Sequence, residues 1–335
     1  MGPTEIVMVT VGVVVVLFTF VDAITTTMVL SANAGPLTSR INKAVWRLLL
    51  LRHKHGATGP SRLVQIGGVL LLLLSVAVWL LMLWGGWLLV FAADARAVVD
   101  TSTGDSASIS DRTYFTGYTI STLGIGDFAP GTAWAQLLTP IAALSGLFLA
   151  TLAITYLLSV VNAVVSRRQF AAYVHSLGLE PSDFLVSAWN GSAFDQALTS
   201  HLVTLTNDLT RLAEQHLAYP ALHYFHARSR RVSVPAAVAW LTDAHLFLAH
   251  GVAPYARSSP AVLRPFGAAI ESYVNTVRAS IVVSTPDAPP LPTAESLREA
   301  QVPLVDEASL RGAADDARDQ RRVVNSLVNS AGWQW

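Results

Sequence analysis

The chain of 335 residues contains no cysteine, which excludes disulfide frameworks, thiolate zinc sites, iron–sulfur clusters and cysteine nucleophiles together. Charge is scarce as well: 13% of residues are Asp, Glu, Lys or Arg, about half the share usual in soluble domains. The two signs cancel, 22 against 22, so no overall basic field recommends nucleic acid as a partner. No nucleophile-and-base set, phosphate loop or metal cluster stands out, and the chain is expected not to be an enzyme and to need no cofactor. What is plentiful is apolar. Hydrophobic residues make up 52%, too many for disorder, and they point to a membrane protein with a soluble part attached.

The apolar residues are concentrated. Ile6 to Leu30 carries one charge, Asp22, while Leu63 to Ala93 and Trp134 to Val165 carry none. Each run exceeds the roughly 20 residues that cross about 30 Å of hydrocarbon, so three spanning helices are expected. Cation-rich short loops stay on the cytoplasmic side. Residues 34–62 hold Arg40, Lys43, Arg47, Arg52, Lys54 and Arg62 without an acid, and the third run ends in Arg167 and Arg168, whereas Asp94 to Arg112 has four Asp against two Arg. The expected topology puts the N-terminus outside and the C-terminal half in the cytosol of a bacterial-type plasma membrane. A rival reading, a signal peptide cleaved near Ala32-Asn33-Ala34, meets an acidic start at Glu5, an overlong apolar run and six cations left outside. Within the basic loop, INKAVWRLLLLRHK separates apolar and cationic stripes, as in an amphipathic interfacial helix or an ordinary connecting one.

Between the second and third runs stands DRTYFTGYTISTLGIGDFAPGTAW, residues 111–134. A helix start at Ser110 or Asp111 precedes an aromatic-rich stretch, Tyr114 to Ser121, then Thr122-Leu123-Gly124-Ile125-Gly126-Asp127 and a turn at Phe128 to Gly131. About ten residues of helix cannot span, so a re-entrant hairpin is expected, buried in protein or lining water. Alternating glycines adopt positive φ at little cost. Successive carbonyls can therefore turn to one axis, where four copies stack rings of oxygens that replace a cation's hydration shell, with the Thr hydroxyls closing the inner end. The short helix aims its partial negative end at the same axis.

In these residues the chain resembles the pore-loop potassium channels, whose two membrane helices enclose a pore helix and a filter commonly written Thr-Val-Gly-Tyr-Gly-Asp. The resemblance covers roughly residues 63–168. It implies K+ bound along Thr122, Leu123, Gly124, Ile125 and Gly126, with Asp127, Tyr114, Phe115 and Tyr118 supporting the filter from behind. The hydroxyl of Tyr114 or Tyr118 is expected to reach Asp127, unless the rings only pack. Leu123 for Val is a modest departure. Ile125 for Tyr removes a hydrogen-bond donor, which places filter rigidity in question although the carbonyls are unaltered. Gly146, twenty residues beyond Gly126, stands where the family carries its gating-hinge glycine; close helix packing is the other reason for a helical glycine. Ala150, Ile154 or Thr155, and Leu158 would line the cavity and lower gate.

Asp22 falls outside that resemblance. Membrane acids are costly and are functional suspects; a proton or cation sensor, a structural partner for Thr25 to Thr27 and the basic helix, and a carboxylate snorkelling to water are all open.

From Gln169 on, the composition is that of a soluble domain whose basic side chains, histidine aside, are all Arg. Apolar residues recur at three and four in residues 200–218, 234–251 and 261–283, predicting an all-α domain with starts at Asp183 and Asp195 and a stop at Gly251. Pro-rich 286–292 reads as a linker, and 293–330 as a charged helical tail that bundles with its symmetry mates. Neither a dinucleotide-binding turn nor a β-roll is apparent, so the cytosolic ligand or protein partner is unreadable. The pairs His223 with His226 and His245 with His250 suggest metal or pH sensing, or plain helical histidines.

The expected architecture is thus an all-α membrane protein: first span 1–33, amphipathic linker 34–62, pore domain 63–168, helical cytosolic domain 169–285, and linker with tail 286–335. The expected function is a homotetrameric potassium-selective channel, one filter per chain requiring four chains. A weakly selective cation channel and a membrane-anchored sensor with a non-conducting loop are the alternatives.

Overall fold

The first apolar run folds as α1, Pro3–Thr27, begun by a proline at its first turn and by the Gly2 N–H donating to Glu5 Oε2 at 2.7 Å. The computed structural model describes residues 2–29, 34–51, 62–278 and 287–335. Residues 32–33 of the small-residue motif, the cations Arg52 and Lys54, Pro286 and the expected boundary at 285/286 lie outside the described residues. After α1 come α2, Pro36–Leu51, α3, Arg62–Ala92, and α4, Ile109–Ile120. A 44-residue helix, α5, Ala133–Ser176, follows. Among the described residues three helices, α1, α3 and α5, are long and apolar enough to cross a membrane.

Two compact units emerge. The first gathers α1, most of α2 and residues 69–159; the second takes in residues 160–335. Helix α5 belongs to both. It passes the expected boundary at 168/169 without a break, and Phe170, Ala171 and Val174 are buried in the core of the second unit.

Small residues set the packing of α1 on α3 in the first unit. A Cβ on Gly12 would lie 2.6 Å from the Gly86 carbonyl oxygen, so the backbones touch as they do at small-residue membrane interfaces. Two three-residue strands, which no alternation in the sequence announced, lie on either side of α4: β1, Val98–Asp100, pairs antiparallel with β2, Phe128–Pro130, in the register Val99 to Ala129.

The second unit is helical: α6, Pro181–Ser187, α7, Gln196–Ala218, α8, Val234–Leu246, α9, Pro260–Arg278, and the short α10, Glu295–Glu299, α11, Glu307–Asp316, and α12, Arg318–Ser330. Asp195 caps α7, accepting from the Leu198 N–H at 3.0 Å, and α8 gives way to a single π turn ending at Gly251. Helix α8 is apolar nearly all round and lies at the centre, with α6, α9, α11 and α12 against it. The tail is therefore not free to bundle with symmetry mates. Val323, Val324, Leu327 and Val328 of α12 are buried in the core of their own unit, because α12 carries a strong apolar stripe that α8 and α9 cover.

Three histidines of this unit are held neutral. Burial, then the Arg167 charge and His223, lowers His216 to about 3; burial, then His226 and Arg167, lowers His223 to about 4; burial, then His250, lowers His245 to about 4. Neither ring nitrogen of His216 has a hydrogen-bond partner among the described residues. Unfolding restores an ordinary histidine pKa near 6.5. Stability is thus fully present above about pH 6.5 and drains away as pH falls towards 4, the unfolded chain taking up protons that the folded one refuses; His216 alone accounts for about 2 kcal/mol at pH 5. Thermal unfolding followed across pH 8 to 4.5 should show this decline, and His216→Leu should flatten it; a profile level down to pH 4.5 refutes the assignment.

Candidate pore and filter

Helix α4 is the pivot of the site. Its start is set by Ser108 rather than Ser110 or Asp111: the Asp111 N–H donates to Ser108 Oγ at 3.3 Å, and Asp111 Oδ2 accepts from Ser108 N–H at 3.1 Å and from its hydroxyl at 2.6 Å. Reciprocal capping of this kind satisfies donors the first turn otherwise leaves bare. Arg112 then ties α4 to the end of α3, donating to the carbonyls of Ala92 at 3.2 Å and Ala95 at 2.8 Å.

At its other end α4 stops at Ile120 and runs directly into Thr122 to Gly126. Thr122, Gly124 and Gly126 have φ of +59°, +59° and +94°, while Leu123 and Ile125 do not enter the positive region. Hand therefore alternates residue by residue. Backbone of alternating hand sends its N–H groups to one side and its carbonyls to the other, the geometry that cation coordination by carbonyls needs. Thr122 bears the left-handed conformation without being glycine, an uncommon and costly state.

The strip is held from behind and from outside. The Leu123 N–H donates to the Tyr118 carbonyl at 2.9 Å and that of Thr122 to Thr119 at 3.0 Å. Tyr118 donates its hydroxyl to the Phe128 carbonyl at 2.5 Å, and Tyr114 Oη stands 3.4 Å from Asp127 Oδ2. Of the two tyrosines it is thus Tyr114 that reaches Asp127. Edge-to-face contacts join Tyr114 to Tyr118 at 5.2 Å, Phe115 to Tyr118 at 5.4 Å and Phe91 to Phe115 at 5.2 Å. Thr101 was not foreseen: its hydroxyl reaches the carbonyls of Gly126 and Asp127 at 3.1 and 2.9 Å, and its N–H donates to Asp127 at 3.0 Å. Only the β1–β2 pairing brings it there. Leu123 and Ile125 are exposed, and space is open around Gly124 and Gly126.

Gly146 is required by contact. A Cβ there would lie 1.9 Å from the Ile120 carbonyl oxygen, and α5 continues through it unbroken. Close packing of α5 against the end of α4, the other reason for a glycine here, is therefore present. Beyond it, Ala150 is half-buried, while Ile154, Thr155 and Leu158 are exposed along α5.

Asp22 is fully buried and crowded with donors. Oδ1 accepts from the N–H groups of Leu37 at 2.7 Å and Thr38 at 3.2 Å; Oδ2 accepts from the Thr38 hydroxyl at 2.5 Å and Trp79 Nε1 at 2.9 Å. The carboxylate therefore sits at the N-terminus of α2, against its bare N–H groups and positive dipole end. Of the roles open to it, the structural partner of the basic helix is the one whose contacts are present.

Residues 69–163 match the ion channel family. Over 315 residues the chain is 30% identical to the uncharacterized membrane protein YdjJ of Bacillus subtilis (strain 168), a match that covers 94% of this chain and 91% of that protein. No solved structure matches the chain. With α3, α4, the alternating strip and α5 in the order that the family requires, the chain belongs to the two-helix pore family of ion channels, extended by an additional N-terminal span and a helical C-terminal unit.

Proposed function

We propose that the protein is a homotetrameric, potassium-selective channel of a plasma membrane, conducting K+ passively, with its N-terminus outside and its C-terminal unit in the cytosol. The alternating hand of Thr122 to Gly126 at the end of α4 carries this reading. One chain supplies one strip of carbonyls, and four strips about an axis make the stacked oxygen rings that replace the hydration shell of K+. The open space around Gly124 and Gly126 is then filled by the other strips and the ions. Ala150, Ile154, Thr155 and Leu158 line the path below the filter, and the cations of residues 34–62 favour the cytoplasmic side. A weakly selective cation pore is the second reading, favoured by Ile125, which offers the pore helix no hydroxyl.

Reversal potentials in opposed K+ and Na+ gradients, measured on the purified protein in planar bilayers, test this. A strong preference for K+ is expected; equal permeability favours the second reading, and no current under any condition favours a membrane-anchored sensor. Gly124→Ala puts a side chain at φ +59° and should abolish conduction while leaving the tetramer's mass unchanged by light scattering. Conduction that survives it means the filter lies elsewhere.

A further inference from the structure

We propose that Asp22 is a positioning residue that couples the amphipathic helix α2 to the pore-lining helix α5, so that the seat of α2 sets the open–closed equilibrium. The inference rests on the channel reading of the preceding subsection.

The contacts form a continuous chain inside the first unit. Asp22, in α1, grips the N-terminus of α2 through Leu37 and Thr38. Its other oxygen holds the indole N–H of Trp79, in α3, which also lies 3.2 Å from Thr38 Oγ1. The Trp79 ring in turn rests on Tyr156 of α5, with centroids 6.2 Å apart and planes at 52°. Asp22, Trp79 and Tyr156 are 0%, 0% and 4% exposed. One turn further along the same face of α2, buried Asn42 meets Ser75 of α3 at 3.4 Å. Tyr156 falls between Thr155 and Leu158, so the chain ends on the stretch of α5 assigned to the lower pore.

Two physical points favour coupling over mere anchorage. Hydrogen bonds to a buried carboxylate are short and strong, and each depends on the others' geometry. A displaced α2 therefore takes Thr38 from Asp22 and leaves both the carboxylate and the indole N–H short of a partner in an apolar setting, a cost that Trp79 avoids only by moving. Movement of a packed indole is felt by the ring against it, because close-packed interiors transmit displacement. The opposite face of α2 exposes Arg40, Lys43 and Arg47, so the helix has a surface on which its surroundings can act while its buried face works the strut.

The absence of cysteine makes the test direct. Wild type, Asp22→Asn, Trp79→Phe and the double variant are reconstituted as tetramers; single-channel open probability is recorded, and a spin label on Leu158→Cys reports distances across the pore by pulsed electron resonance. Asp22→Asn should shift the open–closed equilibrium about tenfold, the factor that loss of one charge-assisted hydrogen bond represents. Trp79→Phe should shift it in the same direction, the double variant no further than the larger single, and the label distances should move with them. The K+ to Na+ permeability ratio should stay put. In a Tyr156→Leu background the effect of Asp22→Asn should largely vanish, which a purely structural role for Asp22 does not predict.

Open probabilities within twofold of wild type, additive effects, or an undiminished effect in Tyr156→Leu overturn the proposal. If Asp22→Asn does not assemble, Trp79→Phe, which removes the indole N–H together with the five-membered part of the ring, decides in its place. If the wild type passes no current, the channel reading fails and the label distances still decide whether α2 and α5 are coupled.

Discussion

Gly146→Ala is expected to abolish the assembled pore, with no tetramer recovered and no current. Alanine improves helix propensity by about 1 kcal/mol, and in a free helix it would stabilise. Here the new methyl would stand 1.9 Å from the carbonyl oxygen of Ile120, far inside the roughly 3.3 Å at which carbon and oxygen meet. Neither partner can yield. The obstacle is backbone, it is the last residue of α4, and the proposed filter begins two residues later. Relief requires α4 and α5 to part, which strips the contact that seats the strip Thr122 to Gly126. Gly85→Ala, where a Cβ meets nothing within 4 Å in the chain, is the control and should assemble and conduct normally. A Gly146→Ala channel that assembles and differs only in open probability would restore the hinge.

The second large effect lies in the C-terminal unit. Arg321 of α12 is 1% exposed and meets Asp243 of α8 with Nη1 at 2.5 Å from Oδ1; its Nη2 donates to the Pro290 carbonyl at 2.9 Å, and its guanidinium lies 5.0 Å over the Trp335 ring. Trp335 Nε1 donates to the other oxygen of Asp243 at 2.7 Å. Removing the cation strands a buried carboxylate, a loss of about 3 to 5 kcal/mol, whereas removing both charges together is often nearly neutral. Arg321→Met should lower the unfolding temperature of this unit by on the order of 10 °C. The double variant Arg321→Met with Asp243→Asn should recover most of it. Scanning calorimetry of the two reads the difference; equal losses would mean that the packing of Arg321, and not its charge, holds α12 in place.

Much of the fold was legible along the chain. A span announces itself by length and hydropathy, and α1, α3 and α5 lie where the three runs predict. The backbone of Thr122 to Gly126 was legible because its geometry is local: alternating glycines at Gly124 and Gly126 license the positive φ that they adopt. Capping at Asp195 was equally local. Ser108 was missed because the segment offers several cap-competent residues, and the choice among them depends on where Arg112 fastens α4.

What sequence alone determined, then, is whatever a window of residues decides by itself: three spans, a short helix, an alternating strip and a helical C-terminal unit. Tertiary structure decided the partners. Asp22 finds donors 15, 16 and 57 residues away, Thr101 reaches Gly126 only because two short strands pair, and the tail docks because Arg321 finds Asp243 78 positions back. Gly146 is the sharpest case. A glycine in a helix reads alike whether it bends or makes room, and that it makes room here shows only in the carbonyl of Ile120 beside it, since steric exclusion depends on which surface arrives and not on the residue's own neighbours in the chain.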